Sequence, residues 1–263
     1  MGVSSSSPEI WADPTLKILR AELAALTESL AEAEAELVTV TTELDAFSRV
    51  QMARLAPLYA ELDELVARLA ERTAQLSGDS GDKYLAQDAR DKAGQSARDA
   101  EAAAYPDMTA ERLQQLRTAQ RSLRDLYREL ARSCHPDLAG EDGAERRRRE
   151  NFMARVNAAY AAGDGAALRA LAQAWASRES AGGGPSTRGI GGDTDVRKLR
   201  ERIRLVRARL GGVRTQIAAL RAAPLGQLCF ADDPQAALDE AAKLLHAQIS
   251  EHRAALVRRG GSL

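Results

Sequence analysis

The sequence has no long apolar run: nothing in it approaches the roughly 18 uninterrupted apolar residues of a membrane-spanning helix. Its start shows no charged region leading into an apolar one, so neither a span nor a secretory leader is expected. Met1-Gly2-Val3-Ser4-Ser5-Ser6 formally fits the myristoylation pattern, but the same residues read more simply as a Ser-rich disordered tail. Cysteine is scarce too. The chain has 2, Cys134 and Cys229, with no CxxC and no histidines at metal-ligand spacing. That argues against a disulfide framework or a zinc site and for a reduced, cytoplasmic setting. Aromatic residues are 4% of the chain, too few for a large mixed core, and a formal net charge of −1 supplies no basic field for nucleic acid. There is no P-loop, no glycine-rich dinucleotide fingerprint and no nucleophile–histidine–acid arrangement. His246 and His252, six residues apart, share no helical face. The expectation is a protein that is not an enzyme and carries no cofactor or metal.

What fills the chain is Ala, Leu, Glu and Arg, a composition of long helices. Leu16, Leu19, Leu23, Leu26, Leu30, Ala33, Leu37, Val40, Leu44 and Phe47 alternate spacings of three and four, the seam of a coiled coil. The seam breaks near Pro57 and resumes in a shifted register with Leu58, Leu62, Leu65, Leu69 and Leu76; the helix either kinks there or turns back, and the lack of Gly or Asn before it favours a kink. Ser77-Gly78-Asp79-Ser80-Gly81-Asp82 is a breaker, and residues 83–104, poor in large apolar side chains, read as a weakly packed helix or a connector. Tyr105-Pro106-Asp107 breaks the chain again, with Thr109 as N-cap of a helix reaching Cys134. A second seam runs Val196, Leu199, Ile203, Val206, Leu210, Val213, Ile217, Leu220, through Gly211-Gly212. A last helix carrying Leu238, Leu245, Ile249, His252 and Leu256 is expected antiparallel to it. The two seams can pair with each other or with a second copy; periodicity allows both.

The chemistry gathers at residues 126–137. The residue before a proline is pushed out of the helical region, so His135 must end its helix, and Pro136 stiffens the turn that presents Asp137. By themselves these three residues are as good an ordinary helix stop as a recognition corner. Arg117, Arg121, Arg124, Arg128 and Arg132 lead into it at spacings of four, three, four and four, a stripe along one face. Such a stripe is commonly a solvated face, here with Asp125 and Glu129 as internal partners. Because this one ends at a rigid corner, it also makes a basic surface suited to an acidic partner. Arg146–Arg149 wraps all round the next helix and reads as solvated charge or as neutralisation of the loop before it.

Tyr127-Arg128-Glu129-Leu130-Ala131-Arg132-Ser133-Cys134-His135-Pro136-Asp137, followed by Met153-Ala154-Arg155-Val156-Asn157-Ala158-Ala159-Tyr160, resembles the second helix, His-Pro-Asp loop and third helix of the J-domain, the signature of DnaJ-like co-chaperones. The match covers roughly residues 113–176. It implies an antiparallel helix pair with Leu126, Tyr127 and Leu130 packed on Met153, Val156 and Tyr160. It also implies that His135, Pro136 and Asp137 are the essential trio. Arg124 and Arg128 would be docking cations, with Arg121 and Arg132 as lesser ones. In the family this loop docks on a DnaK-class chaperone ATPase, where its nucleotide domain meets the interdomain linker, and stimulates ATP hydrolysis there. The sequence departs from the family at several places. No Tyr-x-x-Leu-Gly-Val-like first-helix motif precedes Arg112, Glu129 and Ser133 stand where lysine is frequent, Ala139 replaces an Asn, and no Gly/Phe-rich or four-cysteine region follows.

The expected fold class is therefore all-α, with elongated coiled-coil helices flanking a J-domain-like antiparallel helical hairpin. The expected order is a tail (1–14), an N-terminal arm (15–104), the J-like region (105–179), a Gly-rich linker (180–195) and a C-terminal helical hairpin (196–258). The expected partner is a DnaK-class ATPase, with self-association through the seams as an open alternative, and with neither nucleic acid nor membrane. The competing expectation is a coiled-coil scaffold whose J-like hairpin activates nothing.

Overall fold

The computed structural model describes residues 14–103, 110–139, 142–180 and 196–260. The N-terminal tail, the Tyr105-Pro106-Asp107 break with Thr109, Gly140-Glu141 and nearly all of the Gly-rich linker lie outside the described residues. Among the described residues every element is helical: α1 (Pro14–Ser77), α2 (Ser80–Ala102), α3 (Ala110–Cys134), a 3-10 turn (Pro136–Ala139), α4 (Gly143–Ala161), α5 (Gly165–Ser180), α6 (Val196–Ala222), α7 (Pro224–Cys229) and α8 (Pro234–Arg258). The boundaries have local causes. Asp79, Asp142, Asp164 and Asp233 accept backbone N–H groups that the first turns of α2, α4, α5 and α8 leave unpaired. Pro224 and Pro234 sit at helix starts, where a missing N–H costs nothing. Gly163 ends the α4 segment at φ +66, and a Cβ there would also come within 3.0 Å of Ala119 Cβ. Pro57 lies inside α1, so the chain does not turn back there. Gly211-Gly212 likewise lies inside α6.

The chain divides into two compact units that cut across the chain-order boundaries read from the sequence. One takes the chain as far as Val40 together with Leu116–Ala219. In it α3 and α4 run antiparallel: Gln120 bonds to Ala161, Tyr127 to Asn157, and Arg149 to Ser133. Tyr127, Leu130, Ala131 and Cys134 of α3 share one buried cluster with Met153, Val156 and Tyr160 of α4 and Leu168, Leu171 and Trp175 of α5. Leu126 is partly buried against it. From α1, Ala31 and Ala35 complete the same cluster, and Val38 packs on it. The α6 seam is buried at Leu199, Ile203, Val206, Leu210, Val213 and Ile217. Ion pairs Glu22–Arg207 and Glu34–Arg209 tie that helix to α1, so the two seams meet within one chain.

The other unit takes Thr41–Gln115 and the chain from Leu220 onward. Leu65, Ile249 and Leu256 form its buried cluster, with Leu58, Leu62 and Leu69 packed on it. The partners of α8 lie on α1 in the same chain order: Asp239 with Arg54, Arg253 with Glu61, Arg259 with Thr73. Thus α8 runs parallel to α1. The hairpin of α6 with α8 expected from the sequence is not what supplies these contacts, because a leucine seam accepts any helix of matching period. The α2 segment, expected to be a weak helix or a connector, is a helix that buries only Ala86 and Ala93. It is held to α1 largely by polar contacts: Arg90 with Glu64 at 2.6 Å and Glu71 at 2.7 Å, and Ser96 with Asp63 at 2.6 Å.

Candidate functional site

The corner after α3 is built from its own backbone outward. Cys134 is the last helical residue, and the 3-10 turn begins at Pro136, with Leu138 N–H donating to the His135 carbonyl at 3.0 Å. The Asp137 amide donates to His135 Nδ1 at 3.1 Å. That bond makes Nδ1 the acceptor of the ring and leaves Nε2 as the N–H, which points at Glu34 Oε2 3.1 Å away. His135 is 2% exposed. Asp137 is half-enclosed: its carboxylate lies 3.5 Å from His135 Nδ1 and 3.8 Å from an Arg146 nitrogen, while Arg202 donates to its carbonyl at 3.3 Å.

Glu34, on α1, receives more than the histidine. Arg209 of α6 donates to its Oε1 from Nε at 2.9 Å and from Nη2 at 2.8 Å. Burial pushes the Glu34 carboxyl up, but the hydrogen bonds from His135 and Arg209 and the charge of the Arg209 guanidinium outweigh it and hold the carboxyl below its ordinary range. The result is a line from buried His135 through buried Glu34 to the exposed Arg209, joining the corner to α1 and α6.

The arginine stripe does not face solvent throughout. Arg124 pairs with Glu32 of α1. Arg128 reaches Glu28 Oε1 at 2.7 Å and Glu32 Oε2 at 2.7 Å, and Arg132 reaches Glu28 Oε2 at 2.8 Å. The hydrogen bond from Arg128 and the charges of Arg128 and Arg132 outweigh desolvation and hold the Glu28 carboxyl below its ordinary range. Of the internal partners expected from the sequence, Asp125 lies 3.4 Å from Arg128, and Glu129 is exposed. Arg121 is exposed and has no partner among the described residues.

Arg149 is the residue that the sequence reading set aside. The run Arg146–Arg149 was expected to be solvated, and Arg146, Arg147 and Arg148 are exposed, but Arg149 is 3% exposed. Its Nη1 donates to the carbonyls of Ser133 at 2.9 Å and His135 at 3.3 Å. The Ser133 carbonyl is one that α3 cannot satisfy itself, and the His135 carbonyl, which also accepts from Leu138, lies just beyond the helix. Its Nε donates to the equally buried Glu145 at 3.0 Å, which also accepts from Arg178 at 2.6 Å. Both guanidinium groups lie 5.1 Å from the Trp175 ring. The signal was the Glu145–Arg149 spacing of four on a helix that has to pack against the end of α3.

Behind the corner, Tyr127 donates to Asn157 Oδ1 at 2.8 Å, its ring lies 4.6 Å from that of Tyr160, and the Tyr160 hydroxyl is 3.1 Å from Thr39 Oγ1. Burial pushes the Tyr127 phenol well above its usual value, so it stays a neutral donor. Among the described residues no group of three or more His, Cys, Asp and Glu side chains could hold a metal ion, and no helix is long and apolar enough to cross a membrane. The structure therefore places His135 and Asp137 at the end of α3, ranges Arg124, Arg128 and Arg132 along the face that meets Glu28 and Glu32 of α1, and leaves Arg121 exposed one turn earlier. Compared with protein-family models, with curated proteins and with solved structures, the chain gives no match.

Proposed function

We propose that the chain is a J-type co-chaperone. Its α3–α4 pair, with the His135-Pro136-Asp137 corner and the arginines leading into it, engages a DnaK-class ATPase and stimulates ATP hydrolysis there. The α1, α6 and α8 helices act as coiled-coil arms for client or partner choice. The observation that carries the reading is the joint geometry at the end of α3: a proline-stiffened corner clamped from behind by Arg149 and fed by a stripe of cations on one helical face. An acidic partner meets such a stripe by charge complementarity, and a pre-set corner loses little entropy on docking. The chain then acts on its partner's chemistry and performs none itself.

A second reading is favoured by one observation, the burial of His135 under Glu34. On that reading the pair is a structural block inside a helical scaffold, and the corner docks on nothing. Single-turnover ATP hydrolysis by a DnaK-class ATPase separates the two. The chain is added as wild type and as the Glu28→Gln/Glu32→Gln form, which frees the arginines, each with and without His135→Gln. Stimulation that vanishes with His135→Gln is the expected result. Its absence in both forms at saturating concentration would leave the scaffold reading.

A further inference from the structure

Glu28, Ala31, Glu32 and Ala35 stand at i, i+3, i+4 and i+7 of α1 and so share one face. The two alanines enter the buried cluster behind α3, and the two glutamates meet Arg124, Arg128 and Arg132. Beside them Glu34 takes the Nε2–H of His135. Every carboxylate thus sits where an acidic partner would have to place its own. We propose that the Glu28–Ala35 segment of α1 is an intramolecular plug that keeps the arginine face and the corner closed until it lifts. The consequence for ATPase stimulation rests on the co-chaperone reading; the occlusion itself does not.

The contacts suit a cover that opens. The ion pairs are part-exposed, with arginine side chains at 45% for Arg124, 31% for Arg128 and 48% for Arg132, and exposed pairs of this kind are individually weak. The apolar attachment of the segment to that cluster is through two alanines, which bury little area each, while Leu30 and Ala33 of the same segment are buried outside it. Closure nevertheless prevails because the plug is tethered, so its local concentration exceeds that of any free partner. An incoming acidic surface then sees an affinity reduced by the fraction of open chains. Arg121, exposed one turn before Arg124, is the first cation it can reach.

The test reads the cover and the function separately. Mass-mapped modification of His135 by diethylpyrocarbonate reports its exposure, with the exposed His246 as internal reference. The full-length wild type is compared with Glu28→Arg/Glu32→Arg and with the milder Glu28→Gln/Glu32→Gln, which guards against misfolding of the reversal. We expect His135 to react about tenfold faster in the variants, and half-maximal ATPase stimulation to need about five- to tenfold less of the Gln form than of the wild type. Equal His135 reactivity in wild type and both variants, whether fast or slow, overturns the plug. Faster reactivity with unchanged, His135-dependent stimulation overturns its regulatory role. Faster reactivity with no stimulation from any form sustains the occlusion and overturns the co-chaperone reading instead.

Discussion

Replacing Arg149 by Met keeps the length of the side chain and removes its charge and all its donors. Four interactions end together: the bond to Glu145, those to the carbonyls of Ser133 and His135, and the contact over Trp175. Breaking a buried ion pair from one side costs about 3–5 kcal/mol, because the other charge stays buried without its counterion. Here Glu145 keeps Arg178 at 2.6 Å, so the lower end, ~3 kcal/mol, is the better figure. The assay is urea unfolding followed through Trp175. The chain has 2 tryptophans, so the measurements are made in a Trp11→Phe background. With a slope of about 2 kcal/mol per molar urea, the midpoint should fall by about 1.5 M at unchanged slope. Adding Glu145→Gln removes the stranded charge, so the double variant should be more stable than the sum of the single effects predicts by about 1–3 kcal/mol. A midpoint shift under about 0.5 M, or strict additivity in the cycle, would refute the clamp. Arg149→Lys should recover only part of the loss, since an ammonium cannot hold Glu145 and two carbonyls in a planar fork.

Glu34→Gln should alter the acid limb of the stability curve. A carboxyl held below its ordinary 4.5 contributes stability that is fully present above that value and is lost as pH falls through the folded one. The unit carrying His135 should therefore weaken below about pH 4.5, and the variant should lose Glu34's share of that slope; an identical acid limb in a urea–pH series contradicts it. Tyr127→Phe deletes the donor to Asn157 and should cost about 1 kcal/mol, read from the same Trp175 transition; a neutral result means that the bond is replaced. Gly226→Ala would drive a Cβ into the Leu220 carbonyl oxygen and against the Arg221 backbone. The backbone would have to shift, so a loss of about 1–3 kcal/mol is expected in thermal melts, and an unchanged melting temperature contradicts it.

The helices were legible because their signals are local. Seams at spacings of three and four and Pro136 after His135 act over one or two turns of chain. What they touch was not. The Leu238–Leu256 seam fits α6 or α1 equally well in periodicity, and the partners of α8 are Arg54, Glu61 and Thr73 of α1. The same limit applied at the site. Arg124, Arg128 and Arg132 could be placed on one face from their spacing, yet their counterions, Glu28 and Glu32, lie about a hundred residues away, and nothing local to either stretch marks the pairing. Arg149 was missed for a different reason. In a run of four arginines only one can point at the end of α3, and composition averages over all of them.

The sequence lacks the first-helix motif expected before the arginine helix, which raises the question of what holds the corner in place. Two elements share the task. Arg149 fastens the end of α3 from behind, and α1 closes the core from the other side with Ala31, Ala35 and Thr39, the last against the Tyr160 hydroxyl. The helix that completes the core is therefore the one that covers the basic face, and support cannot be removed without removing the cover. Opening by wholesale loss of α1 would strand the cluster around Tyr127 and Tyr160 without its lid. Opening by a local shift of the Glu28–Ala35 stretch, with Thr39 and the Arg149 clamp left in place, exposes His135 while the α3–α4 pair keeps its packing. The two routes differ in a measurable way. If the shift is local, Glu28→Gln/Glu32→Gln should raise His135 reactivity while the urea midpoint of Trp175 stays within about 0.5 M of wild type. If reactivity rises only in step with a falling midpoint, the corner becomes accessible by unfolding, and α1 is a structural helix with no separate role as a cover.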